Sequence, residues 1–189
     1  MQLIIIKDFV DPEVCAQLNT WVDLGVKNSW LGKSINAGSS WEYSKRLTTR
    51  NSGEKFEYPD VVYKTFEKIT NLLDLHDLSK SVAGAGRDGV VVSCTFPGGH
   101  LFEHMDQKEP IGEVLRCNIM TRGADAGGKL YVGGLHVDIG VGDLHCYLAS
   151  AVPHYVTQVE GNTARVLWMF GYQTTIERFN QIGMTYAVA

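Results

Sequence analysis

A histidine and an aspartate two positions apart, within residues 102–106, are the part of the sequence best suited to chemistry. His104 and Asp106 are separated by Met105. In an extended strand the side chains at i and i+2 leave the same face, so the imidazole and the carboxylate can converge. A second imidazole, His154, follows 50 residues downstream. Two histidines and one carboxylate, with three coordination positions open, are the donor set of the facial triad in non-haem Fe(II) oxygenases.

An arginine in an apolar segment makes this metal hypothesis more specific. Arg165 follows His154 by 11 residues and lies within the apolar residues 164–170. A cation in such a strand needs an anionic partner, because an unpaired buried charge is very costly. We therefore expect an Fe(II) enzyme whose co-substrate carries a carboxylate. Trp168, three residues after Arg165, should point to the opposite face of the strand and into the core.

The other histidines of the chain are weaker candidates for metal ligands. His136 and Asp138 repeat the His-x-Asp pattern, but only 15 residues separate Asp138 from His154, and a surface hairpin is expected there. His100 and His104 have the i, i+4 spacing of a helical metal pair, yet residues 97–99 read Pro-Gly-Gly, which disfavours a helix. His145 alternates with apolar residues, which predicts a packed or exposed strand histidine. Structural zinc is disfavoured because no cysteine pair has zinc-site spacing.

Composition predicts one domain, over residues 1–189, in the cytoplasm. The chain has 189 residues, 44% of them hydrophobic, and a net charge of −4, so nucleic acid is an unlikely partner. Its four cysteines form no CxxC motif, and we interpret them as free thiols in a reducing cytosol. No apolar run approaches 18 residues, so no membrane span is expected.

The elements that must position these residues change in type along the chain. Residues 3–6 predict a strand, Asp11 and Pro12 begin a helix that Gly25 should end, and Pro59 begins a second helix. From residue 88 onward, short apolar segments alternate with glycine turns. We therefore expect an α+β, mainly β fold, in which residues 1–80 supply helical support and residues 88–173 form an antiparallel double-sheet barrel or sandwich.

Residues 26–58 lack a clear period and are expected to form either a solvated loop or a substrate lid. The segment carries three cations, Lys45, Arg46 and Arg50. If it is a lid, these side chains would favour a substrate with an anionic group, and they are our candidate substrate-binding residues.

The segment that contains the first histidine resembles the Pro-Gly and His-x-Asp segment of prolyl-4-hydroxylase-like 2-oxoglutarate/Fe(II) dioxygenases. The resemblance spans about residues 88–173 and depends on the order and spacing of several segments. These segments are residues 95–106, 116–120, 127–130, 142–143, 150–156 and 159–168. It implies a double-stranded β-helix (a jelly-roll, cupin-like core) with N-terminal supporting helices.

The resemblance also implies cofactors and roles for single residues. His104, Asp106 and His154 would hold Fe(II), and Arg165 would hold the C5 carboxylate of 2-oxoglutarate. O2 would oxidise the substrate with succinate and CO2 as co-products, and ascorbate would support turnover. Thr95 occupies the position of a family tyrosine that helps bind 2-oxoglutarate, and its hydroxyl can also reach a carboxylate. Asn118, on a strand expected to line the pocket, has either a polar contact to co-substrate or substrate, or a structural role.

The primary substrate is open at this point. Residues 130–134 differ from the acidic-Thr-x-Phe pattern usual in the family. The candidates are a peptidyl side chain, a free amino acid or another small metabolite, hydroxylated at an unactivated C–H bond. A nucleobase is less favoured because the chain has no basic bias.

Two alternatives give the sequence a different function. A cupin-like metalloenzyme could use the same triad for a non-redox isomerase or lyase reaction, which needs no fixed co-substrate carboxylate. A β-sandwich binding module could instead recognise a sugar or peptide through Trp30, Trp41 and Tyr43 without catalysis.

Overall fold

The computed structural model describes residues 3–34, 40–49, 57–81, 89–110 and 112–186. It begins with strand β1 (Ile4–Ile6) and helix α1 (Pro12–Lys27). The Asp11 carboxylate caps the helix by accepting the Val14 N–H, as its position before a proline predicts. The prediction that Gly25 ends the helix is wrong. The helix runs two residues further, and the left-handed conformation that follows its end lies at Ser29 (φ 60°).

Helix α3 (Asp60–Leu72) follows Pro59 and confirms the second predicted helix. Its residues Val62, Phe66 and Ile69 are buried, as their spacing along one helical face indicates. Leu72 is 40% exposed because it lies at the helix end.

The described part of residues 26–58 forms regular structure, so the solvated-loop interpretation is wrong for that part. It contains strand β2 (Gly32–Lys33), helix α2 (Trp41–Ser44) and strand β3 (Arg46–Thr48). β3 pairs with the long strand β4 (Val90–Thr95). A strand of three residues is too short to show a period in the sequence, which explains why this pairing was not predicted.

The major sheet has seven strands, and its long members confirm the strands predicted after residue 88. These are β4, β6 (Glu113–Arg122), β10 (Leu144–Leu148) and β13 (Arg165–Thr174). The sheet order is β1-β10-β6-β13-β4-β3-β2, and all pairs are antiparallel. The N-terminal strand therefore closes one edge and β2 the other.

A smaller sheet faces the major one. Its order is β5-β11-β8-β9, and its members are β5 (Leu101–His104), β8 (Leu130–Val132), β9 (Leu135–Val137) and β11 (His154–Val156). Strands β7 (Ala126–Gly127) and β12 (Val159–Glu160) form a separate antiparallel pair. The connections β5 to β6 and β10 to β11 cross between the two sheets, which brings distant parts of the chain together.

The helices cover one face of the major sheet and leave the other for the site. Trp168 is fully buried and its ring lies 5.5 Å from that of Trp21 in α1, which confirms its predicted core position. Phe66 of α3 packs on Phe170 of β13 at 5.5 Å. The C-terminal helix α4 (Ile176–Tyr186) was not predicted, and it buries Phe179. Within the described ranges, no helix is long and apolar enough to span a membrane.

Candidate metal centre

Strand pairing places the two histidines of the predicted triad side by side. His104 at the end of β5 and His154 at the start of β11 are direct partners across the antiparallel ladder, and their ring centroids lie 4.3 Å apart. Asp106 lies just beyond β5, where its backbone N–H donates to Ala149 O at 2.9 Å. One potential ligand atom from each residue lies within 4.8 Å of the other two, so the structure brings the three side chains together.

Backbone carbonyls fix which nitrogen each histidine presents. His104 Nδ1 lies 2.9 Å from Phe102 O and His154 Nδ1 lies 3.1 Å from Val152 O. A carbonyl oxygen only accepts, so in each ring Nδ1 carries a proton, which leaves Nε2 as the atom that can bind a metal. Metal-bound histidines are commonly oriented by such a bond. Both imidazoles are therefore prepared to act as ligands through Nε2.

An arginine orients the carboxylate. Arg116 of β6 donates its Nε–H to Asp106 Oδ2 at 2.9 Å, while Oδ1 lies 3.7 Å from His104 Nε2. Burial by itself would raise the pKa of Asp106, but Arg116 and the two histidines outweigh it and hold the pKa below its ordinary value. The carboxylate is therefore ionised at neutral pH, with one oxygen bound by Arg116 and the other directed to the histidines.

The second histidine is electrostatically suited to a metal. Burial, followed by the neighbouring His104, lowers the pKa of His154 to about 4. The imidazole is thus neutral at physiological pH, which is the state that binds a metal. With an ionised Asp106 and the Nε2 atoms of two histidines, the donor set fits a divalent ion that accepts nitrogen and oxygen ligands.

A cavity of about 380 Å³ lies between the two sheets and opens beside the triad. Residues of β3, β4, β6, β10 and β13 form one wall, and residues of β5 and β11 form the other. Arg165 and Arg46 are both register partners of Thr95 in the adjacent strands. Side chains at paired positions share a face of the sheet, and all three of these residues line the cavity.

Arg165 is a buried cation for which the described residues provide no ion-pair partner. It is 3% exposed, and its Nε and Nη2 have no hydrogen-bond partner among the residues that the structure describes. Burial lowers the pKa of Arg165 to about 10, which leaves the guanidinium charged at physiological pH. Such a group is costly to bury without a partner, so the cavity fits a ligand that brings a carboxylate.

Two strand residues on the inner wall carry further polar groups. Asn118 of β6, a predicted cavity residue, is buried, lines the cavity and stands directly opposite His145 of β10. His145 is packed, as predicted, but it lines the cavity as well, which sequence reasoning missed. The sequence did carry a signal for this position, because polar and apolar residues alternate along β10 and so separate its two faces. The polar residues are His145 and Tyr147, and the apolar ones are Leu144, Cys146 and Leu148.

Tyr147 is another cavity residue that the sequence did not reveal. Its ring contacts His154 edge-on at 5.2 Å between centroids. Burial, followed by the negative charge of Asp106, raises the pKa of Tyr147 well above its ordinary value. The phenol is therefore protonated at neutral pH, and its ring contact with His154 joins the inner wall to the metal centre.

The other candidate residues lie in different places. Lys45 adopts a left-handed conformation after α2. Its Nζ lies beside Gly98, 2.6 Å from the position that a Cβ would take there. Lys45 is not among the residues that line the cavity. Arg50 lies outside the described residues. His136 lies in the hairpin of β8 and β9, as expected, and is exposed. Trp30, a candidate for sugar or peptide contact, packs against Trp21 at 6.1 Å.

Comparison with known proteins was made at the level of sequence and of structure. No protein-family model matches the chain, and no curated protein matches its sequence. Among solved structures, the viral collagen prolyl hydroxylase of Paramecium bursaria Chlorella virus-1, in its 2-oxoglutarate complex, matches with a TM-score of 0.63 and 13% identity. That match covers 92% of this chain and 97% of the viral one.

Two cellular prolyl hydroxylases are similarly close in structure. The Trichoplax adhaerens prolyl hydroxylase, in complex with a peptide fragment of the hypoxia-inducible factor oxygen degradation domain, has a TM-score of 0.65 and 15% identity, with coverage of 89% and 83%. A Pseudomonas putida prolyl-4-hydroxylase has a TM-score of 0.62 and 15% identity, with coverage of 92% and 93%. The chain has a prolyl-hydroxylase-like fold. The predicted double-stranded β-helix is thereby confirmed.

Proposed function

We propose that the protein is a 2-oxoglutarate- and Fe(II)-dependent dioxygenase, a hydroxylase. The observation that carries this proposal is that the cluster of His104, Asp106 and His154 shares one cavity with Arg165, whose Nε and Nη2 have no hydrogen-bond partner among the described residues. A metal-binding cluster alone would suit many reactions. A buried cation facing the same space requires an anionic co-substrate, and the prolyl-hydroxylase-like fold supports that chemistry.

His104 Nε2, Asp106 Oδ1 and His154 Nε2 would hold Fe(II). When bound, the iron with 2-oxoglutarate supplies O2-dependent oxidation, in which the co-substrate becomes succinate and CO2 and a hydroxyl group is placed on a C–H bond. Arg116 keeps Asp106 ionised and oriented throughout. The carbonyls of Phe102 and Val152 lie at Nδ1 of the two histidines and so leave Nε2 of each as the ligand atom.

The opposite end of the cavity would bind the co-substrate. Arg165 donates to the C5 carboxylate in a charge-assisted contact, and Thr95, its direct partner on β4, offers a hydroxyl from the same face. Asn118 supplies a further polar contact. Apolar side chains, among them Leu167 and Met169 on the same cavity wall, exclude water from the reacting atoms.

The substrate proposal is a peptidyl side chain, an amino acid or another small metabolite. Arg46 lines the cavity on β3, one strand beyond Thr95, and would contact an anionic group on that substrate. We include Lys45 and Arg50 in the same proposed role. Phe102 and Met105, 43% and 57% exposed, lie at the cavity wall beside the triad, where an aliphatic part of the substrate could pack.

The proposed setting is the cytoplasm, where thiols stay reduced. All four cysteines are free and buried, and ascorbate would support turnover by keeping iron ferrous.

The cupin-like alternative uses the same triad but gives Arg165 no function. The binding-module alternative gives the triad none.

A conversion screen tests the proposal. The purified protein is supplied with Fe(II), ascorbate, 2-oxoglutarate and O2, and succinate release is measured over peptides, amino acids and small carboxylates. Substrate-dependent succinate, together with a product heavier by one oxygen atom (about 16 Da), supports a hydroxylase. Metal binding without any binding of 2-oxoglutarate would favour the non-redox alternative.

A further inference from the structure

The inner wall of the cavity carries a histidine to which the proposed reaction gives no role. His145 is completely buried and lines the same cavity as the triad. In the described part of the chain, neither of its ring nitrogens has a hydrogen-bond partner. An imidazole carries at least one N–H, so a buried donor is left unsatisfied in the protein alone. Such donors cost stability, and an acceptor that enters the cavity would remove that cost.

The surroundings of His145 indicate the charge of that acceptor. Burial, followed by the positive charge of Arg165, lowers the pKa of His145 to about 3, so the imidazole is neutral at physiological pH. Arg165 also has two donor atoms, Nε and Nη2, without partners among the described residues. His145 and Arg165 thus both present unused donors to one cavity, and a single carboxylate can accept about four hydrogen bonds.

The placement of both residues on strands favours recognition of a fixed geometry. His145 is held in β10, between β1 and β6, and Arg165 is held in β13, between β6 and β4. Side chains on paired strands are better positioned than those on loops. The positions of His145 and Arg165 relative to each other are therefore set by the sheet, and a ligand held at the proposed metal site would need an acceptor at its other end to reach them.

We propose that His145 donates a hydrogen bond to the distal carboxylate of 2-oxoglutarate, beside Arg165, and so makes the site select a dicarboxylate over a 2-oxo monoacid. The inference rests on the proposed use of 2-oxoglutarate. His145 is thus a specificity-determining residue, and its unsatisfied state in the protein alone is a stability cost that ligand binding offsets.

Binding to the anaerobic Mn(II)-loaded protein tests this role without turnover. Calorimetric titrations with 2-oxoglutarate and with pyruvate, which has the same 2-oxo acid but no distal carboxylate, are compared for wild type, His145→Leu and His145→Gln. We expect His145→Leu to weaken 2-oxoglutarate binding on the order of 10- to 100-fold and to leave pyruvate binding within about twofold. His145→Gln, which keeps a donor, should recover part of the loss. His136→Ala, at the exposed histidine of β9, is the matched control.

The thermal midpoint of the metal-free protein separates this role from a structural one. Replacing an unsatisfied imidazole with leucine should leave the midpoint unchanged or raise it. Equal losses for both ligands, or unchanged binding of 2-oxoglutarate in both His145 variants, would overturn the inference and leave the proposed function standing. If a water molecule rather than the co-substrate is the normal partner of His145, 2-oxoglutarate binding should be unchanged in both His145 variants. If wild type binds no 2-oxo acid at all, the proposed function itself fails.

Discussion

Arg116 Nε and Asp106 Oδ2 lie 2.9 Å apart, and this bond leaves the other carboxylate oxygen directed at the histidines. Arg116 is nearly buried and Asp106 is 18% exposed at the side chain. Removing one partner of such a partly buried pair is costly, because the remaining charge is left without compensation. The relationship makes Arg116 a positioning residue for the proposed metal ligand, and it leads to the first prediction.

Arg116→Leu should lower the affinity for Mn(II) on the order of 10- to 100-fold, because the carboxylate loses the donor that orients it. Calorimetric titration of the metal-free protein with Mn(II) measures the change. Arg178→Ala is the matched control, since Arg178 forms an exposed pair with Asp77 at 3.0 Å and should leave metal affinity unchanged. Equal affinity in Arg116→Leu would contradict the positioning role.

His104→Ala and His154→Ala should each abolish substrate-dependent succinate formation. Each removes one of three proposed ligands, and the remaining two cannot hold the metal in the same open geometry. Succinate is measured by chromatography after incubation with Fe(II) and 2-oxoglutarate. His136→Ala should retain activity because His136 lies on the surface hairpin. Full turnover in either triad variant would refute the assignment.

The stability of the metal-free protein should depend on His145 at acidic pH. Its pKa in the fold, about 3, lies below the ordinary 6.5, so the unfolded chain binds an extra proton between these values and stability falls as pH decreases through that window. The free energy of unfolding should therefore be lower at pH 5 than at pH 7 by about 2 kcal/mol from His145 alone.

Urea unfolding of wild type and His145→Leu at pH 7 and pH 5 measures this contribution. The leucine variant lacks the titrating group. Its free energy of unfolding should therefore rise relative to that of wild type as the pH falls from 7 to 5. His154 titrates in both proteins and cancels in the comparison. The same difference at both pH values would show that His145 is not held neutral by the fold.

The sequence predicted the parts of this site that depend on local spacing. The i, i+2 relation of His104 and Asp106, and the apolar strand around Arg165, could be read without a fold. Their roles as metal ligand and carboxylate ligand remain predictions, as does the organisation of residues 1–189 as one domain.

The sequence did not reveal what depends on how strands meet. Alternation separates His145 from its apolar neighbours but does not tell whether its face meets the core or a cavity, since that depends on the opposite sheet. The contact of Arg116 with Asp106 joins β6 to the segment after β5 and was likewise unpredictable. Adjacent Lys45 and Arg46 were treated alike, although only Arg46 enters the cavity lining.

Arg165→Ala should mainly raise the apparent KM for 2-oxoglutarate, on the order of 100-fold, because the charge-assisted contact to the C5 carboxylate is lost. The guanidinium has no protein anion among the described residues, so its removal should not leave an uncompensated carboxylate in the fold. Initial rates of succinate release over a range of 2-oxoglutarate concentrations give KM and kcat separately. Arg165→Lys, which keeps the charge but not the planar fork, should fall between wild type and the alanine variant. An unchanged KM in Arg165→Ala, with normal metal binding, would mean that the co-substrate carboxylate binds elsewhere in the cavity.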